Sequence, residues 1–311
     1  MMASSRFQCT HRLFQSPNAD WNSPRGPAKA AFCAAVEQYV KEIEGVRTLA
    51  IPHLDEVAAT HGLSRRQAEV AALELGILPL RYLKNYGTVG LQGQLVLLGS
   101  CVAVLGLGGL GGYVAEGLAR MGVGRLTLVD GDVFCEHNLN RQLLGDEDNL
   151  GQYKALVAAE HVHRINRAVE VSAHSCYATR ENLPSLLSGV DVVVDALDRL
   201  PARLMVQEVA AQMDVPMVHG AIAGWMGQVM TIFPGDVGLR ALYGDGPVPE
   251  QGAEVEQGCP PASPMMVAAW QVHETVKILL GAGLVPGGKL VRGRLLFLDA
   301  AVGEARTLAL F

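Results

Sequence analysis

The spacing of apolar residues divides the chain into two parts of different character. Over residues 27–98, apolar side chains recur at helical spacing in three runs, AKAAFCAAVEQYVKEIEG, HLDEVAATHG and SRRQAEVAALELG, each closing near a glycine as helix ends prefer. This pattern predicts an N-terminal helical module over residues 27–98. Residues 1–26 mix Ser, Asn, Pro and Arg without periodicity, so we expect a flexible tail there.

From Cys101 onward the period changes to that of strands. Short β-branched runs such as CVAVLGL, RLTLVD and DVVVDAL alternate with helical stretches near residues 110–120, 152–167 and 202–213. This alternation predicts an α/β fold with a doubly wound, Rossmann-like and mostly parallel sheet. The last runs, VMTIF, RLLFLDA and ARTLALF, have no helices of this kind between them, so we expect the far strands to be antiparallel.

Composition narrows the classes of function. Half of the 311 residues are hydrophobic and 18% are charged, which excludes intrinsic disorder, and the net charge of −6 makes a nucleic-acid partner unexpected. Six widely spaced cysteines without a C-x-x-C pair, and no secretory leader pattern, predict a cytoplasmic protein. Residues 85–115 carry no charge, but their clustered glycines favour a helix, a buried strand and a glycine-rich turn over a membrane span.

Two segments leave their interpretation open. Residues 54–75 have the pattern of a helix–turn–helix, with Arg65 and Arg66 opening the second helix, but any two short packed helices produce it. Residues 234–263 are rich in Gly, Pro and acidic residues and are longer than a compact domain normally tolerates between elements. We therefore expect this long loop to serve function.

A glycine-rich turn follows the first strand of the predicted sheet. In VAVLGLGGLGGYVAEGLA the turn stands between a strand and a helix, where glycine allows close approach of a phosphate to the backbone and to the positive end of the helix dipole. Its glycines are Gly106, Gly108, Gly109 and Gly111. Asp130 ends the next strand, 19 residues beyond Gly111, where a carboxylate can accept hydrogen bonds from a ribose. NAD and ATP fit these features equally.

The polar residues after Asp130 favour a triphosphate over a dinucleotide. The segment VDGDVFCEHNLNRQLL and the helix start that follows it contain Asp132, Asn138, Arg141, Gln142 and Lys154. A pyrophosphate is largely satisfied by the glycine turn, whereas a triphosphate brings more charge and a divalent ion, and the two cations suit it. An exposed polar turn is the alternative.

Asp198 directly follows the run DVVVDAL, at the edge of the sheet where side chains face the nucleotide crevice. A carboxylate there suits Mg²⁺, which takes one or two hard oxygens from a protein and the rest from phosphate and water. Asp198 could equally be the N-cap of the helix that contains Pro201.

The run VLGLGGLGG, Asp130, NLNRQ, Lys154 and the Asp198 turn, in this order, resemble the ThiF/MoeB/HesA family of E1-like adenylyltransferases over about residues 81–277. The resemblance implies that residues 99–311 form an adenylation domain. It implies ATP-dependent adenylation of the C-terminal Gly-Gly carboxylate of a small ubiquitin-like sulfur-carrier protein, with release of pyrophosphate. It assigns the ribose to Asp130, Mg²⁺ to Asp198, and the phosphates to Asn138, Arg141, Gln142 and Lys154.

Two departures from the family pattern affect these expectations. In the block RYLKN, Lys84 stands where many relatives have an arginine that reaches the partner subunit's nucleotide, so we expect a homodimer in which Lys84 acts across the interface. After Cys176 the chain has only Cys259, so the zinc that many relatives bind through two C-x-x-C pairs is not expected. Cys259 is interpreted as a half-buried packing residue, because Glu254 and Glu256 disfavour a thiolate; a covalent carrier intermediate is the alternative.

Other functions remain as alternatives to carrier adenylation. An NAD-dependent oxidoreductase shares the glycine turn and Asp130 but has no use for Arg141, Lys154 and Asp198 together. A DNA-binding regulator with a degenerate adenylation domain is disfavoured by the net charge. Adenylation of a small-molecule or RNA-borne carboxylate stays within the family.

Overall fold

The structure, a computed structural model, describes residues 27–285 and 287–310; the tail expected over residues 1–26 lies outside them. The chain forms two compact units. One contains the described residues up to Val96 together with Leu280–Gly288, and the other contains Leu97–Leu279 and the described residues from Lys289 onward.

The first unit combines helices with a small sheet. Its elements are α1 Pro27–Glu37, β1 Lys41–Ile43, β2 Val46–Leu49, α2 Ile51–His61, α3 Arg65–Glu74, β3 Leu78–Pro79, the 3₁₀ turn Leu80–Asn85, and α4 Tyr86–Gly99, which is kinked at Gly90 and crosses the boundary of the unit. The three strands pair in the order β1-β2-β3. Buried apolar side chains from α1, β2, α2 and α3, among them Phe32, Leu49 and Leu54, form its core together with Ile77, which precedes β3.

The small sheet corrects the prediction of a purely helical module. The run predicted to be helical up to Gly45 leaves the helix after Glu37 and forms an antiparallel hairpin of β1 and β2. Glu44 and Gly45 connect the strands, both with positive φ (53° and 74°), as a two-residue hairpin turn with the favoured twist requires. Strands of two to four residues are too short to show a period of two in the sequence.

The helix–turn–helix segment is held together by local caps and one internal ion pair. Gly62 ends α2 in the left-handed conformation, and Ser64 opens α3 with a capping box to Gln67. The side chain of Arg65 is 9% exposed and pairs with Asp55 of α2. This arrangement favours the structural interpretation of residues 54–75, because Arg65 is engaged inside the unit rather than presented to a duplex.

The second unit is built on an eight-stranded sheet. Its strands are β4 Cys101–Leu105, β5 Arg125–Val129, β6 Glu170–His174, β7 Val192–Asp195, β8 Met217–Ala223, β9 Met226–Ile232, β10 Arg294–Asp299 and β11 Glu304–Ala309. Its helices are α5 Gly111–Met121, α6 Lys154–Ile165, α7 Leu183–Leu186, α8 Leu200–Gln212, α9 Arg240–Tyr243, α10 Glu254–Gln257 and α11 Ala262–Leu284, which is kinked at Gly281 and extends into the first unit.

The strand order is β11-β10-β9-β8-β7-β4-β5-β6. The strands β6, β5, β4, β7 and β8 are parallel, and β9, β10 and β11 add antiparallel pairs, which confirms the predicted α/β class and its antiparallel far strands. The chain builds outward from β4 to β5 and β6 and then returns to β7 on the other side of β4. Such a switch point opens a crevice at the carboxyl ends of the strands, where ligands of open α/β sheets bind.

The charge-free stretch and the long loop both gain a defined structure. Residues 85–115 comprise α4, the fully buried strand β4 and the glycine turn into α5, as predicted. Within the described ranges, no helix has both the length and the apolar character needed to cross a membrane. The long loop at residues 234–263 contains the four-residue helices α9 and α10.

Candidate active site

The glycine turn lies directly against the end of β7. A Cβ added at Gly106, which has φ +86°, would lie 2.6 Å from the carbonyl oxygen of Ala196, and one added at Gly111 would collide with the carbonyl of Gly106. These two glycines are therefore required for the packing of the turn itself. Added Cβ atoms at Gly108 and Gly109 would meet only side-chain atoms, at 3.3 Å and 3.5 Å. Their lack of side chains leaves a shallow backbone cradle that suits a phosphate.

Asp130 ties the glycine turn to the end of β5. One carboxylate oxygen accepts the Leu107 N–H at 2.7 Å and the other accepts the Asp132 N–H at 2.8 Å. Burial raises the pKa of Asp130, and these two N–H groups act in the opposite direction. Each carboxylate oxygen keeps a second lone pair, so the group can still accept a ribose hydroxyl.

Asp132 forms the centre of a three-residue cluster. Its carboxylate meets the Lys154 ammonium at 3.1 Å and accepts the Tyr177 hydroxyl at 2.7 Å. Although burial favours the neutral acid, Tyr177 and Lys154 hold the pKa of Asp132 below its ordinary value. Lys154 is 5% exposed at the first position of α6, so its charge is held by Asp132 within the fold.

Tyr177 is a site residue that the sequence analysis did not identify. Its ring packs over Gly131, where an added Cβ would lie 2.9 Å from ring atoms, and the side chain is 67% exposed. The hydrogen bond to Asp132 raises the pKa of Tyr177, and the charges of Asp132, Asp130 and Asp198 add to the effect. Tyr177 follows the carboxyl end of β6, and that position was the only signal that could have identified it.

The NLNRQ block divides between structural and available groups. Asn138 is buried, and its side-chain oxygen accepts the Cys135 N–H at 3.0 Å, so it caps the 3₁₀ turn. Arg141 donates to the carbonyl of His137 at 2.9 Å and to the side chain of Asn140 at 2.8 Å. Gln142 is 6% exposed beside Gly108, and its Oε1 has no hydrogen-bond partner among the described residues. The atom of Gln142 that lies nearest to Gly108 is Nε2, whose N–H groups can donate to a phosphate oxygen.

Asp198 lies in the turn between β7 and α8. It is exposed, and the N-cap of α8 is Arg199, with no side-chain capping bond, so the alternative interpretation of Asp198 as N-cap is wrong. Within the described part of the chain, no group of three or more His, Cys, Asp or Glu side chains is arranged to hold a metal. A single open carboxylate beside a phosphate cradle is a donor set that fits Mg²⁺ bound mainly by phosphate and water.

The turn that carries Asp198 is held by three buried residues that the sequence analysis did not identify. Asp195, the last residue of β7, accepts the Leu197 N–H at 3.1 Å and pairs with His219 of β8 at 2.7 Å. Arg203 of α8 donates to the Leu197 carbonyl through Nε at 2.9 Å and Nη2 at 2.6 Å. Both polar groups of the Leu197 backbone are thus held by buried side chains.

Two further predicted residues have defined surroundings. In the first unit, Lys84 is exposed and pairs with Glu44 at 2.6 Å; its action on a partner subunit stays a prediction. The backbone carbonyl of Cys259 accepts the side-chain amide of Asn140 at 3.2 Å. Burial raises the pKa of the Cys259 thiol, Arg141 opposes this effect and Glu254 reinforces it, so the thiol is the favoured form.

Comparisons with known proteins show similarity over most of the chain. The ThiF family matches residues 82–310. The SAMP-activating enzyme E1 of Haloferax volcanii is 38% identical over 213 residues, which is 68% of this chain and 77% of that protein. The sulfur carrier protein adenylyltransferase of Thermus thermophilus is 36% identical over 227 residues, 71% of this chain and 82% of that protein.

A solved structure gives the same fold at lower identity. The E. coli tRNA N6-threonylcarbamoyladenosine dehydratase TcdA, in complex with ATP, superimposes with a TM-score of 0.55 at 24% identity, covering 64% of this chain and 93% of that chain. At this identity the likeness concerns the fold alone.

Proposed function

The chain belongs to the ThiF family and is an adenylyltransferase, and from this premise we propose that it activates the C-terminal Gly-Gly carboxylate of a small ubiquitin-like sulfur-carrier protein with ATP. The observation that carries the proposal is the juxtaposition at the switch point. The glycine turn meets the turn of Asp198 at Gly106, where an added Cβ would lie 2.6 Å from the carbonyl oxygen of Ala196, and Arg141 lies close to Gly109 of the same glycine turn. The alternative interpretation as an NAD-dependent oxidoreductase is rejected, because the relatives are an activating enzyme and an adenylyltransferase.

The proposed contacts follow the chemistry of each group. Asp130 accepts the ribose hydroxyls through its remaining lone pairs, and the cradle receives the phosphates. Arg141 and Lys154 supply cationic donors to the phosphate oxygens, and Gln142 donates from its side-chain nitrogen Nε2. Asn138 acts indirectly, because its side-chain oxygen shapes the turn that presents Arg141 and Gln142. Asp132 holds the ammonium of Lys154 in place at 3.1 Å.

The residues around Asp198 fit Mg²⁺, which when bound neutralises phosphate charge and orients the leaving pyrophosphate. Asp198 would hold it through an exposed carboxylate on a turn whose backbone is fixed by Asp195 and Arg203. One protein carboxylate is enough, since the phosphates and water complete the coordination.

The reaction needs positioning rather than covalent help from the protein. A carrier α-carboxyl group is ionised at neutral pH, with a pKa of roughly 3.5, so no general base is required. Its oxygen attacks the α-phosphorus of ATP, the bond from that phosphorus to the β-phosphate oxygen breaks, and pyrophosphate leaves. Arg141 and Lys154 stabilise the charge that develops on the phosphates, and the acyl-adenylate is the product.

We further propose a cytoplasmic homodimer in which Lys84 of one subunit reaches the nucleotide of the other. Lys84 is exposed at the end of the 3₁₀ turn, and its ion pair with Glu44 is a surface pair of small energetic value that a phosphate can displace. No zinc is required for this proposal, and the partner is a protein rather than a membrane or a nucleic acid.

The test is carboxylate-dependent exchange between pyrophosphate and ATP. A panel of purified ubiquitin-like carriers that end in Gly-Gly is compared with the same carriers extended by one alanine, which displaces the reacting carboxylate. Exchange with the Gly-Gly form alone supports the proposal. Exchange that proceeds with a small carboxylic acid or a carboxylate-bearing tRNA, and with no carrier, would contradict it and identify the other substrate class.

A further inference from the structure

We propose that His219 is a positioning residue that acts through Asp195 to fix the turn presenting Asp198, and that Tyr243 connects this device to the long loop. The inference rests on the proposed role of Asp198. Asp195 and His219 occupy paired positions on the neighbouring strands β7 and β8, and both side chains are completely buried. Neither touches solvent, so their function must be exerted through the groups that they contact.

The carboxylate of Asp195 joins two elements at the sheet edge. One oxygen accepts the Leu197 N–H at 3.1 Å and the other contacts His219 Nδ1 at 2.7 Å. The backbone carbonyl of Asp195 accepts the side-chain amide of Gln271 in α11 at 2.8 Å. The rotamer of Asp195 therefore decides where the Leu197 amide lies, and Asp198 is the next residue along the turn.

The hydrogen-bond partners define the tautomer of His219. The side-chain nitrogen of Gln228 can only donate, so Nε2 of His219 accepts from it at 3.2 Å, and Nδ1 carries the proton that is donated to Asp195. Burial lowers the pKa of His219, Asp195 opposes this effect, and the charge of Arg203 adds to the lowering. The neutral imidazole thus bridges Asp195 of β7 and Gln228 of β9 in a fixed orientation.

Gln228 carries the connection to the long loop. Its side-chain nitrogen lies 3.2 Å from His219 Nε2 and 3.2 Å from the hydroxyl of Tyr243 in α9. The two amide protons account for both contacts. A continuous series of side-chain hydrogen bonds therefore runs from the loop through Gln228, His219 and Asp195 to the backbone beside Asp198.

A purely structural role explains this arrangement poorly. Two apolar side chains could fill the same space between β7 and β8 without the cost of desolvating a carboxylate, and such replacements are often neutral or stabilising. The groups that surround a metal ligand, in contrast, commonly set its orientation, and their loss typically weakens metal affinity 10- to 100-fold. Asp195 and His219 match this second role, because Asp195 binds the backbone N–H of Leu197, the residue before Asp198.

The test uses two substitutions that each keep one nitrogen of the imidazole. The Asn amide takes the position of Nδ1, so His219→Asn keeps the bond to Asp195, whereas the Gln amide takes the position of Nε2 and loses it. Calorimetry measures ATP binding to each full-length variant with and without Mg²⁺. Hydrogen–deuterium exchange of the peptide that contains Leu197 and Asp198 is measured in the ligand-free protein.

We expect His219→Gln to reduce the Mg²⁺-dependent gain in ATP affinity about tenfold and to accelerate exchange at residues 197–198, with ATP affinity in EDTA unchanged. His219→Asn should stay close to the wild type in both measurements. Equal behaviour of the two variants would overturn the inference. Tyr243→Phe, at a half-buried loop position, should accelerate the same exchange to a smaller degree, and it tests the connection even where a variant of His219 does not fold.

The wild-type protein separates this inference from the proposed function. A wild type that gains no ATP affinity from Mg²⁺ would contradict the role of Asp198, and with it the proposed function as stated. A wild type that shows the gain, with no difference between His219→Asn and His219→Gln, would contradict the positioning role alone.

Discussion

Two carboxylates at the same sheet edge, Asp132 and Asp198, are held in opposite ways. The charge of Asp132 is compensated by Lys154 and Tyr177, which hold its pKa below the ordinary value although the side chain is partly desolvated. Asp198 is exposed, and the contacts that hold it are made by the backbone of its turn, where Asp195 and Arg203 bind the N–H and the carbonyl of Leu197. The first arrangement fixes a cation inside the fold, and the second presents an anion to the crevice. Two aspartates at one sheet edge can therefore have different roles, because Asp132 pairs with a cation of the protein and Asp198 is left open to a ligand.

The largest effect is expected where the presented anion is removed. Asp198→Ala should lower pyrophosphate exchange at least about a thousandfold, because it removes a metal ligand worth several kcal/mol in the transition state. The fold should be retained, since the carboxylate is exposed and caps no helix. Exchange kinetics and circular dichroism check the two statements. Near wild-type exchange at ordinary Mg²⁺ would show that Asp198 and Asp132 do not differ as proposed.

The cations provide the next test, because Lys154 pairs with Asp132, whereas the contacts of Arg141 among the described residues are the carbonyl of His137 and the side-chain oxygen of Asn140. Each alanine substitution should lower the exchange rate on the order of a hundredfold, as one donor to developing charge is worth ~3 kcal/mol. Only Lys154→Ala should also lower the melting temperature, since it leaves Asp132 without its cation. Unchanged pyrophosphate release in both variants would remove the triphosphate assignment.

A third carboxylate, Glu69 in the first unit, extends the comparison to a group for which burial prevails. Burial raises the pKa of Glu69 from 4.5 to about 7, against the opposing effects of Arg81, Tyr82 and Arg65. The folded state therefore keeps a proton between those pH values that the unfolded chain releases, so stability falls as pH rises from 4.5 to 7 and is level above.

The effect of this shift on the free energy of unfolding is at most about 3.5 kcal/mol, since one pKa unit corresponds to ~1.4 kcal/mol. Urea unfolding at pH 5 and pH 8 measures it, and Glu69→Gln, which still accepts the Tyr82 hydroxyl, should flatten the difference. An equally steep pH dependence in Glu69→Gln would assign the effect to other groups.

Tyr177 allows a finer test of the paired carboxylate. Tyr177→Phe removes the hydroxyl that lowers the pKa of Asp132, so that pKa should rise and the acidic limb of the rate profile should move to higher pH. Because Tyr177 is 67% exposed, the loss of rate at neutral pH should stay within about tenfold. The pH–rate profile of Tyr177→Phe is compared with that of Tyr177→Ala, which also removes the ring. If the acidic limb stays at the wild-type pH in both variants, Tyr177 does not set the pKa of Asp132 during the reaction.

The smallest effect is expected at Cys259, whose thiol is the favoured form. Cys259→Ser should retain pyrophosphate exchange and form the carrier adenylate at the wild-type rate, with no thiol-sensitive carrier adduct in the wild type. Mass spectrometry with and without hydroxylamine checks this. A covalent complex present in the wild type and absent from Cys259→Ser would make Cys259 a nucleophile.

Features that are local along the chain could be predicted from the sequence. The alternation of strands and helices predicted the doubly wound sheet, and the lack of helices between the last runs predicted its antiparallel side. The glycine turn and the strand-end positions of Asp130 and Asp198 followed from the same local patterns. The family relationship, shown over residues 82–310, also rested on these motifs.

The pairing of polar side chains, in contrast, depends on contacts between distant segments and could not be predicted. Tyr177 reaches Asp132 across 45 positions, His219 reaches Asp195 across 24, and Lys154 reaches Asp132 across 22. No periodicity or turn motif encodes such pairs, because they join positions far apart in the chain that only the packing of the sheet and its helices brings together. The hairpin of β1 and β2 escaped prediction for a related reason, since strands of three and four residues carry too few positions for a period of two to appear. The sequence thus determined where the groups enter the sheet edge, and packing between distant segments decided what each of them holds.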